Sequence, residues 1–134
     1  MSYLVDGNNL MGQRIGERRV LMDELAAYAQ AKKISLDVVF DGAPEDHFGD
    51  GAGYRGIRVY YAARNSNADE RIKRMVEASR ERRTLLVVTS DRALADYVRR
   101  CGARVVPVKQ FRRDMETAVQ QAPSGVEYQG CQKA

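Results

Sequence analysis

A chain of 134 residues, 44% apolar and 30% charged, has the length and make-up of one globular domain that needs no disulfide or metal staple to hold its core. No apolar run reaches the ~18 residues that span a bilayer, and an amino terminus without a basic patch ahead of a long apolar stretch reads as a first strand, not a signal peptide. The formal charge of +4, dominated by arginine, points to anionic partners, nucleic acid first.

Tyr3-Leu4-Val5 is a short apolar run, the pattern of a buried strand. Glu17 to Lys33 follows as a helix, with Val20, Leu21, Leu25, Tyr28 and Ala29 at helical spacing. A second strand, Leu36 to Phe40, ends at Asp41-Gly42, and a loop rich in Gly, Asp and Pro runs to Gly56. Ile57 to Ala62 is a third strand. Ala68 to Arg83 is a helix with Ile72, Met75, Val76 and Ser79 on one face. Thr84 to Thr89 is a fourth, almost wholly apolar strand. Arg92 to Arg100 is a helix closed by Gly102. Arg104 to Val108 is a fifth strand and Gln110 to Gln121 a last helix, so that residues 1–121 form one domain and 122–134 a loosely ordered polar tail. Strands alternating with helices predict an α/β fold: three layers around a central, mainly parallel five-stranded sheet covered on both faces.

Four carboxylates follow this architecture. Asp6, Asp41 and Asp91 stand at or just past the ends of strands one, two and four, the edge where open α/β sheets bind ligands. Asp69, three residues before Ile72 and seven before Val76, falls on the inward face of its helix, whereas Glu70 points to solvent. Taken singly, each acid has a purely structural explanation. Asp6-Gly7-Asn8 and Asp41-Gly42 are good turn chemistry, Ser66 to Asp69 matches a capping box, and Ser90-Asp91 suits a helix start. Taken together they repel one another, a cost that a cation removes. Oxygen-only ligands suit Mg²⁺ or Mn²⁺. Cys101 and Cys131 lack metal-site spacing and read as reduced thiols of a cytoplasmic protein.

The segments LVDGNNL, VVFDG, ADERI and VVTSDR, in this order and spacing over about residues 3 to 115, resemble NYN domains of the PIN-like nuclease superfamily, and the YacP-like branch most. The resemblance implies a metal-dependent ribonuclease, cytoplasmic, with RNA of any class as partner, a ribosome-associated setting as one expectation, and no membrane. It assigns Asp6, Asp69 and Asp91 to the metal, and Asp6, Asn8, Asp41, Asp69 and Asp91 to catalysis, with Thr89 and Ser90 as polar neighbours. The last strand departs from the pattern: Pro107-Val108-Lys109 holds no acid, and none follows until Asp114. The alternative function is a PIN-like RNA-binding module with little or no catalysis.

Other residues suit the substrate. Arg14, Arg18 and Arg19 near the first helix, Arg64 after strand three and Arg92 after Asp91 form a basic rim that would hold a polyanion. Ser90 and Asn9 add polar contacts, and Tyr54 and Arg55 offer stacking and pairing from a loop beside the acids. That loop spells GAGYRG, but it runs into a strand instead of opening a helix, which argues against dinucleotide binding. His47 reads as a solvated loop residue. VVFDG lacks the second Asp that an aspartyl phosphatase needs, since Ala43 stands there. Arg71, Lys73, Arg74, Arg80, Arg82, Arg83, Arg99 and Arg100 read as solvated helix faces.

Overall fold

A computed structural model describes residues 2–12, 18–42, 49–62 and 67–121. Five strands fall on the expected apolar runs: β1 (Ser2–Asp6), β2 (Ser35–Phe40), β4 (Ile57–Tyr61), β5 (Leu85–Val88) and β6 (Arg104–Val106). They pair in parallel. A sixth strand, β3 (Ala52–Tyr54), corrects the five-stranded expectation. It lies in the Gly-rich loop and pairs antiparallel to β4, Tyr54 opposite Ile57. The run is too short and glycine-rich to show strand alternation, and it exists because it can lie against the edge of β4.

The sheet order is β3-β4-β2-β1-β5-β6. The chain builds outward from β1 through β2 to β4, then returns to the other side of β1 for β5 and β6. The strand order therefore reverses at β1 and β5, and their carboxyl ends, with that of β2, open on one edge.

Helices cover both faces. Val5, Val38, Phe40, Val59 and Val88 pack with Leu10 of α1 (Gly7–Met11), Leu21 and Leu25 of α2 (Arg18–Lys32) and Phe111 of α5 (Val108–Gln121). Leu4, Val39 and Val87 face the other way, onto Ile72 and Val76 of α3 (Ala68–Ala78) and Leu94 and Val98 of α4 (Arg92–Arg100). Neighbouring strand residues serve opposite layers because side chains alternate along a strand. Burial of each such side chain contributes ~1.5–3 kcal/mol of transfer free energy, enough to fix α3 and α4, and hence Asp69 and Asp91, against the sheet.

The helix expected over Ala68 to Arg83 ends at Ala78. Ser79 turns extended, its hydroxyl accepts the Glu81 N–H at 3.2 Å, and residues Arg82–Thr84 form a 3₁₀ turn. Arg14, Arg64, Ser66, His47, Cys131 and the tail 122–134 lie outside the described residues. Among the described residues no helix is long and apolar enough to cross a membrane.

Candidate active site at the carboxyl edge of the sheet

The segment Asp6-Gly7-Asn8-Asn9 is both strand end and helix start. Asp6 caps α1, its Oδ1 accepting the Asn9 N–H at 3.4 Å. The backbone at Gly7 runs so close to β2 that a Cβ there would stand 2.6 Å from the buried Phe40 ring and 2.9 Å from the Val39 carbonyl oxygen. Only glycine fits. The two amides tie strand ends together. The Asn8 Oδ1 accepts the Asp41 N–H at 2.7 Å, beyond β2. The Asn9 Oδ1 accepts the Ser90 N–H at 2.6 Å, beyond β5.

The acids occupy helix starts on this edge. Asp41 accepts the Ala68 N–H of α3 at 2.6 Å, and Asn67 caps the same helix by accepting the Glu70 N–H at 3.0 Å. Asp91 caps α4 by accepting the Leu94 N–H at 3.0 Å. The positive ends of α3 and α4 favour carboxylates there. The Thr89 hydroxyl links the set: it donates to Asp6 Oδ2 at 3.2 Å and accepts the Asp91 N–H at 3.1 Å. Ser90 Oγ accepts the Val108 N–H at 3.0 Å, which leaves its own proton to donate.

Asp69 differs from the other three. It sits half-buried in the first turn of α3, yet among the described residues its carboxylate accepts no hydrogen bond, because Asn67 and Asp41 already satisfy the helix start. Burial raises its pKa, Asp91 and Asp41 raise it further, and Lys73 opposes them. Asp6 is the most enclosed acid, 5% exposed. Burial pushes its pKa up to about 6 against the bonds from Asn9 and Thr89, and the charges of Asp69 and Asp41 add to the rise. The four acids thus share one electrostatic neighbourhood. Among the described residues, however, no three of them stand as a finished ligand set for a metal ion. The donors gathered are all oxygens, and Asp41 and Asp91 each spend only Oδ1 on a helix amide, so the set suits a hard divalent cation.

The basic rim divides. Arg18 donates to the Asp41 carbonyl and lies over the Phe40 and Tyr61 rings, 5.1 and 5.5 Å from their centroids. Arg92 is exposed at the start of α4 and lines, with Thr89, Ser90, Arg99 and Pro107, an open groove of about 730 Å³. Tyr54 and Arg55 do not join the acids, which corrects their expected placement. Strand β3 runs antiparallel to β4 and carries them to the opposite, amino-terminal edge. There Tyr54 Oη donates to Asp23 of α2 at 2.5 Å and Arg55 stands 3.5 Å from the same carboxylate.

Sequence reasoning missed two supporting residues. Arg71, read as a solvated face, turns inward to bond the Tyr61 carbonyl at 3.0 Å and Asp50 at 2.9 Å. Asp50 also accepts the Tyr61 N–H at 2.8 Å, pinning the loop before β3. Thr89, expected as a polar neighbour of Asp91, also bonds Asp6.

The family model of the YacP-like NYN domain matches residues 3–133. The chain belongs to that family. It is a PIN-like nuclease family, and its members typically use divalent metals. Two solved structures are similar to this NYN domain. Rae1 (YacP) from Bacillus subtilis is 25% identical with a TM-score of 0.71, the match covering 90% of this chain and 76% of that one. A single-substitution mutant of the same protein is 25% identical with a TM-score of 0.74, over 90% and 77%. No curated protein matches the NYN domain.

Proposed function

We propose that this NYN domain is a divalent-metal-dependent ribonuclease that hydrolyses RNA phosphodiester bonds at the carboxyl edge of its sheet. The observation that carries the reading is Asp69: a half-buried carboxylate that accepts no hydrogen bond among the described residues and is flanked by Asp91 and Asp41. A group with that electrostatic cost and no structural task is best explained by a ligand. Asp6, Asp69 and Asp91 would hold Mg²⁺ or Mn²⁺, which when bound supplies charge neutralisation at the phosphate and an activated water.

The chain's own residues do the rest. Asn8 and Asn9 hold the loops that carry Asp41 and Ser90, so the acids keep their spacing when the substrate arrives. Thr89 fixes Asp6 relative to Asp91. Ser90 donates its hydroxyl proton to a phosphate oxygen, and the Arg92 guanidinium in the adjoining groove pairs with the next phosphate. Arg14 and Arg64 are proposed to complete the rim.

A second reading has an observation of its own. Because the acids cap helices and form no finished ligand set among the described residues, the domain could bind RNA without cutting it. One experiment separates the two. Labelled RNA is incubated with the wild type, Asp69→Asn and Asp91→Asn, with and without Mn²⁺. The ribonuclease reading expects Mn²⁺-dependent cleavage that each variant reduces at least ~100-fold. Binding without cleavage in the wild type establishes the second reading instead.

A further inference from the structure

A cluster of positive charge lies away from the acids, at the amino-terminal ends of β5 and β6. Arg80, Arg82, Arg83 and Arg100 line an open cleft of about 780 Å³ together with Glu81, Thr84, Cys101 and Gly102. Four arginines against one glutamate leave an excess of three positive charges here, out of +4 for the whole chain. Arg104, exposed at the start of β6, adjoins the turn at Gly102. Arg80, Arg82, Arg83 and Arg104 form no ion pair among the described residues. The α4 carboxyl end accounts for Arg100, which suits the helix dipole. It does not account for Arg80, Arg82 and Arg83, which follow α3 in a turn that Ser79 and Thr84 hold in place by bonds to Glu81.

We infer that this cleft is a second RNA site, which grips the phosphate backbone at the sheet edge opposite the acids. The inference rests on RNA being the substrate of the acid edge. The cleft precedes β5 and β6, and the acids follow the carboxyl ends of β1, β2 and β5, so β5 separates the two sites. Four strand residues at ~3.3 Å each put them about 13 Å apart. A fully exposed guanidinium fork matches a phosphate bidentately. No aromatic side chain lines the cleft, so it offers bases no stacking surface and reads backbone charge, not sequence. Four clustered positive charges against the single Glu81 carboxylate also weaken the fold, a cost that a bound polyanion offsets. A stacked strand advances about 3.4 Å per nucleotide, so only RNA of more than about four nucleotides touches both sites.

The test uses Arg82→Gln/Arg83→Gln, both exposed and outside any helix of more than one turn. Affinity is measured in EDTA by fluorescence anisotropy of labelled RNA of about 20 nucleotides over a salt series. The expected result is a ~10-fold weaker Kd and a salt slope smaller by about 1.4, the loss of two single-strand phosphate contacts. Hydrolysis of an RNA of about three nucleotides, too short to reach the cleft, stays unchanged in Mn²⁺. An unchanged Kd and slope in the double variant overturns the inference, whether or not the protein cleaves RNA. Poly-glutamate that binds as tightly as RNA, and is lost in the same variant, overturns it in favour of an acidic protein partner. RNA binding that depends on these arginines in a protein that never cleaves overturns the proposed ribonuclease and leaves the second site standing.

Discussion

Asp6 shows how one residue can be both costly and useful. It is 5% exposed, and its pKa rises from 3.8 to about 6, with burial the largest cause. The folded chain therefore holds the Asp6 proton more tightly than the unfolded chain does. Below pH ~4 the group is protonated in both states and costs nothing; above pH ~6 it is ionised in both, and the folded form carries about 3 kcal/mol of penalty. Asp6→Asn removes the charge, at some expense to the bonds from Asn9 and Thr89. In EDTA at pH 8 the variant is expected to be about 1–3 kcal/mol more stable than the wild type, and the gain to fade as pH falls from 6 to 4. Urea midpoints at pH 8, 6 and 4 measure this; an advantage that does not change with pH would show that charge is not its cause. The residue itself was legible in sequence, because a carboxylate that ends an apolar run is conspicuous. Its link to Thr89, 83 residues away, was not, since it depends on β1 pairing with β5.

At the scale of elements, the five-residue helix α1 does more than its length suggests. It begins with glycine and two asparagines, poor helix formers, and an isolated helix this short does not form in water. Propensity thus gave no sign of it. Tertiary bonds hold it instead: Asn8 to the Asp41 loop and Asn9 to the Ser90 loop. Asn8→Ala leaves the Asp41 amide without its partner, and Asn9→Ala does the same to Ser90. Each is expected to cost about 1 kcal/mol of stability, since both bonds lie where water can partly replace them. Each should lower the turnover of RNA by more than that loss of stability explains, because the acids lose their spacing. Turnover measured well below the melting temperature separates the two effects; full turnover in both variants would mean that the staples serve folding only. The early end of α3 was hidden for the opposite reason. Arginine and glutamate after Ala78 favour a helix, and the side chains of Ser79 and Thr84 override them locally. Where apolar periodicity was strong, as from Arg92 to Arg100, sequence and structure agree to the residue.

At the scale of the molecule, topology sorts charge. The ends of β1, β2 and β5 on one edge carry Asp6, Asp41 and Asp91, and α3 adds Asp69 to the same neighbourhood. A parallel sheet read from sequence already put Asp6, Asp41 and Asp91 on one edge, and the sheet order adds that β2, β1 and β5 are direct neighbours there. The core does not require such a gathering, since the apolar layers on either face are complete without it. Asp6 and Asp69 instead oppose folding, since burial and the neighbouring carboxylates raise both pKa values. Any cation they bind must therefore stabilise the fold, by about 2.7 kcal/mol when its concentration is 100 times its Kd. Mn²⁺ added to EDTA-treated protein at pH 8 is expected to raise Tm by several degrees. The rise should shrink at pH 5, where a proton on Asp6 competes with the ion. Asp69→Asn should lose most of it, although that variant starts from a fold relieved of one repelling charge. Its Tm without metal would then match or exceed that of the wild type, while its response to metal falls. A wild-type Tm that ignores Mn²⁺ would leave the acid edge without the ion on which the ribonuclease reading depends, and a rise that Asp69→Asn and Asp91→Asn both keep would put the ion elsewhere.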